Sequence, residues 1–205
     1  MAKKLHYFDV NGIAESIRYI LHYGGQKFED IKYKGSEWPI ESVKNILPYG
    51  QLPFYEEGNK SLNQSVAIAR YLASQTGLLP SDPWEQAVLD AIVLTISDFW
   101  NKTKPAEYIN EQDPTKKAAI RAHIYNELIP YYFSRFEKHL KANNGHFGGK
   151  LTWADFMFVG TLEAVNLIYN LNADNGYPTI AALLKTVRNL PKVKEYIANR
   201  KPYAF

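Results

Sequence analysis

The sequence predicts two domains: a small α/β domain over residues 1–76 and an all-helical domain over residues 84–205, joined by a linker over residues 77–83. Three observations predict this division. Short β-type runs, two of them flanking Gly58-Asn59, occur in the first third of the chain. Two prolines, a glycine and a cap-competent Asp82 cluster in Thr76-Gly77-Leu78-Leu79-Pro80-Ser81-Asp82-Pro83. Beyond that cluster, apolar residues recur at helical spacing and no strand signal is convincing.

Lys4 to Phe8 reads as a strand, followed by the turn signal Asn11-Gly12. Ala14 to Tyr23 reads as a helix with Ile17, Ile20 and Leu21 on one face, ended by Gly24-Gly25. Phe28 to Tyr33 reads as a second strand, and Trp38-Pro39 opens a short helix or loop ending near Leu47-Pro48. Gly58-Asn59 between Phe54–Glu57 and Lys60–Leu62 reads as a hairpin turn, and a helix follows Gln64. The predicted order is β-α-β-α-β-β-α. In the second domain, Val88, Ile92, Ile96 and Phe99 mark a helix from Trp84 to about Lys104. Asp113-Pro114 starts another that runs toward Lys141, with Pro130 predicted to kink or break it. Thr152-Trp153-Ala154-Asp155 is a capping-box start, and Pro178 and Pro191 suit the first turns of two last helices.

Composition narrows the function. Hydrophobic residues make up 46% of the 205, enough to bury a core. The net charge of +3 divides into +1 over residues 1–75 and +2 over 76–205, so neither part carries the basic stripe of a nucleic-acid binder. Lys116, Lys117 and Arg121 cluster with alanines between them, as on a solvated helix face. The absence of cysteine removes disulfides, thiolate catalysis and thiolate metal sites. The start shows no apolar signal region, and the stretch from Met157 to Leu171 is too short and too interrupted to span a bilayer. A soluble cytoplasmic protein is expected, which makes three glycosylation sequons chance matches.

The segment Gln64-Ser65-Val66-Ala67-Ile68-Ala69-Arg70-Tyr71-Leu72 is the most informative. Two hydrogen-bonding residues precede an apolar-periodic helix, and Ser65 as its cap leaves helical N–H groups free to meet an anion. Upstream, Pro53 in Gln51-Leu52-Pro53-Phe54 implies extended, unpaired backbone that a peptide-like ligand can pair with. Together they describe a pocket for a small acidic peptide. Tyr7 lies near the end of the first strand, where ligands approach an α/β domain. Other chemistry is missing: the chain has no H-E-x-x-H or G-x-S-x-G, its five histidines lack metal-ligand spacing, and Gly145 to Leu151 fails as a phosphate loop because Leu151 replaces the magnesium-binding hydroxyl.

Tyr7-Phe8, Gly12, Ala14-Glu15, Arg18, Trp38-Pro39, Pro48 to Pro53, Gln64-Ser65 and Thr152 to Phe156 together resemble a glutathione S-transferase, in order and spacing, through nearly the whole chain. Tyr7 before Phe8 and the Trp38-Pro39 pair resemble the sigma class, which includes invertebrate transferases and haematopoietic-type prostaglandin D synthases. The resemblance implies a thioredoxin-like first domain, an all-helical second domain and a homodimer, with no partner nucleic acid or membrane. It also implies that the reacting thiol belongs to glutathione, a co-substrate, with no further cofactor and no metal. Tyr7 would donate its hydroxyl to the sulfur. Leu52, ahead of a cis Pro53, would pair with the cysteinyl backbone, while Gln64 and Ser65 would hold the γ-glutamyl carboxylate. Trp38 and Lys44 would reach the glycine end, with Gln51 nearby in place of a common lysine. Asp98 would cross the dimer toward the γ-glutamyl amine. Phe8, Trp100, Met157, Thr161 and Phe205 would line an apolar pocket for hydrophobic electrophiles such as lipid-peroxidation aldehydes.

Against the family pattern, Ile13 replaces an arginine near the sulfur, and Leu94 and Ser97 replace carboxylates that bind a divalent cation in some prostaglandin synthases. Two alternatives to a conjugating enzyme remain: a glutathione-dependent prostaglandin H to D isomerase, and a non-enzymatic ligand-carrying or lens-type relative. The short stretch from Lys104 to Asp113 lacks the insertion common in lens relatives.

Overall fold

A computed structural model describes residues 2–45 and 47–203. The first domain is a four-stranded sheet in the order β2-β1-β3-β4, built from β1 (Lys3–Phe8), β2 (Glu29–Tyr33), β3 (Phe54–Glu57) and β4 (Lys60–Asn63). β1 runs parallel to β2 and antiparallel to β3, and β3 and β4 form the hairpin that Gly58-Asn59 predicts. Side chains alternate across the sheet, so Leu5 and Tyr7 share one face while His6 and Phe8 share the other. Helices α1 (Glu15–Tyr23), α2 (Glu41–Lys44) and α3 (Ser65–Thr76) complete the domain. Ile17, Ile20, Ile68 and Leu72 join Leu5 and Tyr55 in a core with no more than 1% of any of them exposed.

The second domain is helical throughout: α4 (Pro83–Thr103), α5 (Pro105–Asn110), α6 (Pro114–His123), α7 (Ile129–Ala142), α8 (Trp153–Tyr169), α9 (Pro178–Arg188) and α10 (Pro191–Asn199). Every proline expected at a first turn is there, and Asp82 caps α4 by accepting from the Glu85 N–H at 2.9 Å. Asp155 accepts from the Thr152 N–H at 2.7 Å and from the Phe147 N–H at 3.0 Å, so the predicted capping box also pins the preceding loop. α8 is the central helix, buried almost end to end.

Four expectations need correcting. The buried stripe of α4 is Leu89, Val93, Ile96 and Phe99; Val88 is 40% exposed. α5 occupies the short stretch between Lys104 and Asp113, to which the sequence reading assigns no element. The helix is interrupted just before Pro130, which is the second residue of α7, rather than at the proline itself. A wider π turn over Ile124–Leu128 links α6 to α7, with Ile129 N–H donating to the Ile124 carbonyl. Proline offers no N–H and its ring crowds the carbonyl four residues back, and the wider turn absorbs both. Finally, Gln64 is the residue that caps α3, and Ser65 is the helix's first residue.

The domains meet where α1 packs on α8. A Cβ at Gly160 would sit 2.7 Å from the Ser16 backbone nitrogen, so only glycine allows this approach. Beside it lies a buried charged cluster. Arg18 pairs with Glu15 and Asp30, both at 3.0 Å, and Arg200 reaches Glu15 from the end of α10. Tyr203 donates to Glu15 at 3.1 Å, and Tyr19 donates to Glu163, which pairs with Arg188 at 3.0 Å. Buried charges persist only when paired in this way.

Candidate active site

Strand register assembles the site. Phe54 pairs with His6 on one side and Asn63 on the other. Pro53 precedes Phe54 and Gln64 follows Asn63, so Tyr7, Leu52-Pro53 and Gln64-Ser65 share one end of the sheet. Residues 57 positions apart in the chain are brought together this way.

Tyr7 is 7% exposed and its ring packs edge-on against Phe8, 5.4 Å between centroids. Burial pushes its hydroxyl up to about 12, while a hydrogen bond with the Ile13 backbone and the Arg18 guanidinium pull the other way. At neutral pH the phenol keeps its proton and acts as a hydrogen-bond donor. Gly12 makes room for it: a Cβ there would lie 2.6 Å from the Tyr7 oxygen, and its φ of +45° suits glycine. The turn is held from beneath. The buried Asn11 side chain accepts from the Gly12 N–H at 2.8 Å, and Arg18 donates to the Val10 carbonyl at 2.8 Å. Burial opposes charge on Arg18, but Asp30 foremost, with Tyr203 and Glu15, raises its pKa above the usual guanidinium range. Asn11, Glu15 and Arg18 therefore support the Tyr7 loop. The sequence marks Asn11-Gly12 as a turn but gives no sign of the long-range partners.

Leu52-Pro53 and Trp38-Pro39 are both cis peptides. Leu52 is half-buried and lies outside β3, and among the described residues its backbone groups have no backbone hydrogen-bond partner. Gln64 is exposed with φ +70° and ψ 114°, a conformation that is rare for a side chain of its size. Such strain costs about 1–3 kcal/mol and clusters at ligand sites. No side chain caps α3, so its first N–H groups are open to an anion beside Gln64 and Ser65.

Trp38 is half-buried, with its ring edge-on to Phe8 at 5.4 Å and 6.3 Å from Tyr33. Lys44 is exposed and its stem lies across Gly50, where a Cβ would be 3.4 Å from Lys44 Cγ. Gln51 is exposed in the loop before Leu52. Asp98 stands on the exposed face of α4. Trp100 is half-buried on the same helix. Met157 and Thr161 lie one turn apart on α8, each only 4% exposed, and the Met157 carbonyl accepts from Ser16 Oγ at 3.5 Å. They offer little surface to a ligand in this conformation. Phe205 lies outside the described residues.

A 920 Å³ groove opens elsewhere, between β2, the end of α1 and α10, with Phe28 and Tyr196 among its walls. None of Tyr7, Leu52, Pro53, Gln64 and Ser65 lines it. Several of its charges are paired within the protein, as in Lys32–Asp9, Arg200–Glu15 and Arg18–Asp30.

Comparison with known proteins shows the family. Residues 3–74 fit the family model "Glutathione S-transferase, N-terminal domain", and residues 97–200 fit "Glutathione S-transferase, C-terminal domain". A glutathione S-transferase of Anopheles gambiae is 37% identical over 198 residues, covering 96% of each chain. A hematopoietic prostaglandin D synthase of Gallus gallus is 35% identical, again covering 96% of each chain. The solved structure of prostaglandin synthase D of Nilaparvata lugens superposes with a TM-score of 0.90 at 36% identity, covering 99% of this chain and 100% of that one. The chain belongs to the glutathione S-transferase family of enzymes.

Proposed function

We propose that this enzyme is a sigma-class transferase that activates glutathione as a thiolate and delivers it to hydrophobic electrophiles such as lipid-peroxidation aldehydes. The observation that carries this reading is the protonated, buried Tyr7 hydroxyl, braced by the Ile13 backbone, at the same end of the sheet as an unpaired Leu52 backbone and the open N-terminus of α3. The tyrosine before Phe8 and the Trp38-Pro39 pair support the class.

A free thiol has a pKa of about 8.5, so only a few per cent is ionised at neutral pH. Lowering that value by roughly two units requires about 2.7 kcal/mol of preferential stabilisation of the anion. A hydrogen bond from Tyr7 to the sulfur anion supplies about 1.5–3 kcal/mol of it. The thiol proton leaves to solvent, the sulfur lone pair forms the S–C bond, and the electrophile's electrons move onto its leaving group or conjugated oxygen. Glutathione is a co-substrate and no other cofactor takes part. Leu52 pairs with the cysteinyl backbone, and Gln64 and Ser65 present the γ-glutamyl carboxylate to α3. Trp38, Lys44 and Gln51 hold the glycine end.

Asp98 acts from the second subunit of a homodimer. Exposed Trp84, Val88 and Leu94 on α4 support such an interface. Phe8, Trp100, Met157, Thr161 and Phe205 meet the electrophile, which requires α8 to shift from its closed packing. The enzyme works in the cytoplasm. Steady-state conjugation rates over a panel of aldehydes, quinones, hydroperoxides and a chloronitroaromatic test the activity; no glutathione-dependent product from any of them would overturn it.

A second reading, isomerisation of prostaglandin H to prostaglandin D, is favoured by the relatives that carry that name. Product analysis with prostaglandin H as substrate separates the two.

A further inference from the structure

We propose that His6 is a positioning residue for the glycine end of glutathione, acting through Tyr33 and Trp38. The inference rests on the reading of Trp38 given above. His6 is 7% exposed and projects from the sheet face opposite Tyr7. Its Nε2 lies 2.9 Å from Glu56 Oε2 and its Nδ1 lies 2.8 Å from the Tyr33 hydroxyl. The His6 and Tyr33 rings stack with centroids 6.1 Å apart and planes 20° from parallel, while Phe54 meets His6 edge-on at 5.6 Å. Tyr33 and Phe8 in turn are the two rings against Trp38.

The order of contacts is therefore Glu56, His6, Tyr33, Trp38. A purely apolar residue would fill the His6 position with no hydrogen bonds to satisfy. A buried imidazole is stable there because both nitrogens find partners, and such a network fixes one arrangement where apolar packing tolerates several. The Glu56 carboxylate accepts a hydrogen bond from His6 Nε2–H, which leaves Nδ1 facing the Tyr33 hydroxyl. With Nε2 carrying the proton, Nδ1 accepts from the Tyr33 hydroxyl. Tyr33 is thus held in place by both the hydrogen bond and the ring stack.

Trp38 needs that support. The segment before it contributes only a short turn over Gly35–Glu37 and an exposed Lys34–Glu37 ion pair at 2.9 Å. Exposed pairs of this kind contribute little to fixing a conformation. A Trp38 ring already held in its binding position loses less freedom when glutathione arrives, so binding is tighter.

The test compares glutathione with γ-glutamylcysteine, which lacks the glycine. Titration calorimetry is run on the wild type, Tyr33→Phe and His6→Leu. Tyr33→Phe removes the hydroxyl and keeps the ring, so it stands as the test if His6→Leu fails to fold. The expected result is glutathione affinity weakened about three- to tenfold, as for loss of one neutral hydrogen bond. Affinity for γ-glutamylcysteine stays at the wild-type value, and KM for glutathione rises while kcat is retained. Equal weakening of both thiols, or of neither, would overturn the proposal. Wild-type protein that binds the two thiols equally would remove the Trp38 reading, and the His6 role with it.

Discussion

Replacing Tyr7 by phenylalanine deletes one oxygen from a site that is otherwise fully packed. The ring keeps its contacts with Phe8, and Gly12 keeps its close approach. On the proposed mechanism, what is lost is one hydrogen bond to a sulfur anion, about 1.5–3 kcal/mol. That loss raises the pKa of the bound thiol by about 1–2 units. The thiolate fraction then falls about ten- to hundredfold at pH values below both pKa values. The remaining thiolate is the stronger nucleophile, and a Brønsted slope of about 0.4–0.5 returns roughly half of the loss on a logarithmic scale. Ionisation alone therefore costs about four- to thirteenfold in rate. A larger loss would measure the share of Tyr7 in orienting the sulfur for attack. Thiolate absorbance of bound glutathione, titrated against pH, reads the first quantity, and the conjugation rate reads the second. Glutathione affinity should be retained. An unchanged thiol pKa in Tyr7→Phe would refute the reasoning, whatever happened to the rate.

Gly12→Ala drives a methyl group to 2.6 Å from the Tyr7 oxygen at a backbone angle that disfavours it. It should destabilise the protein by about 1–3 kcal/mol in denaturant titration and lose at least as much activity as Tyr7→Phe; wild-type activity would refute the placement of the hydroxyl. Gln64→Gly relieves the φ of +70° and removes the side chain proposed to meet the γ-glutamyl group. Stability should rise by about 1 kcal/mol while glutathione affinity falls, and the opposite pair of signs would contradict a ligand role for Gln64. His146 lies 3.5 Å from Asp155, which raises its pKa above the ordinary value. A histidine raised in the folded state contributes stability that is complete below the unfolded value of about 6.5 and lost as pH rises through the folded value. Unfolding free energy should therefore fall more steeply from pH 6 to 8 in the wild type than in His146→Gln; equal slopes would contradict the pairing.

The elements legible in the sequence were those with local punctuation. Asp82, Pro114, Pro178 and Pro191 marked helix starts, Gly24-Gly25 a helix end, and Gly58-Asn59 a hairpin, because each acts within one turn of backbone. The apolar stripe of α4 was misplaced by one residue at two positions. Val88 and Ile92 share their spacing with Leu89 and Val93, and only the packing on α8 separates the two sets. α5 is six residues long and begins at a proline after Lys104, whose φ is +49°. Its Lys104-Pro105 junction was the available signal. The motifs around Tyr7, Pro53 and Gln64 pointed to a ligand site through residue types alone. The strand register that brings them to one end of the sheet, the Asn11–Arg18 support and the His6–Tyr33 pair all depend on residues distant in sequence. No local pattern carries such information.

The position of the glutathione sulfur tests the central claim most directly. In a crystal of the protein with bound glutathione, the account predicts the sulfur within hydrogen-bonding reach of the Tyr7 oxygen, the cysteinyl backbone on Leu52 and the γ-glutamyl carboxylate at the start of α3. A sulfur held instead by another side chain, with the Tyr7 hydroxyl facing no part of the tripeptide, would contradict it.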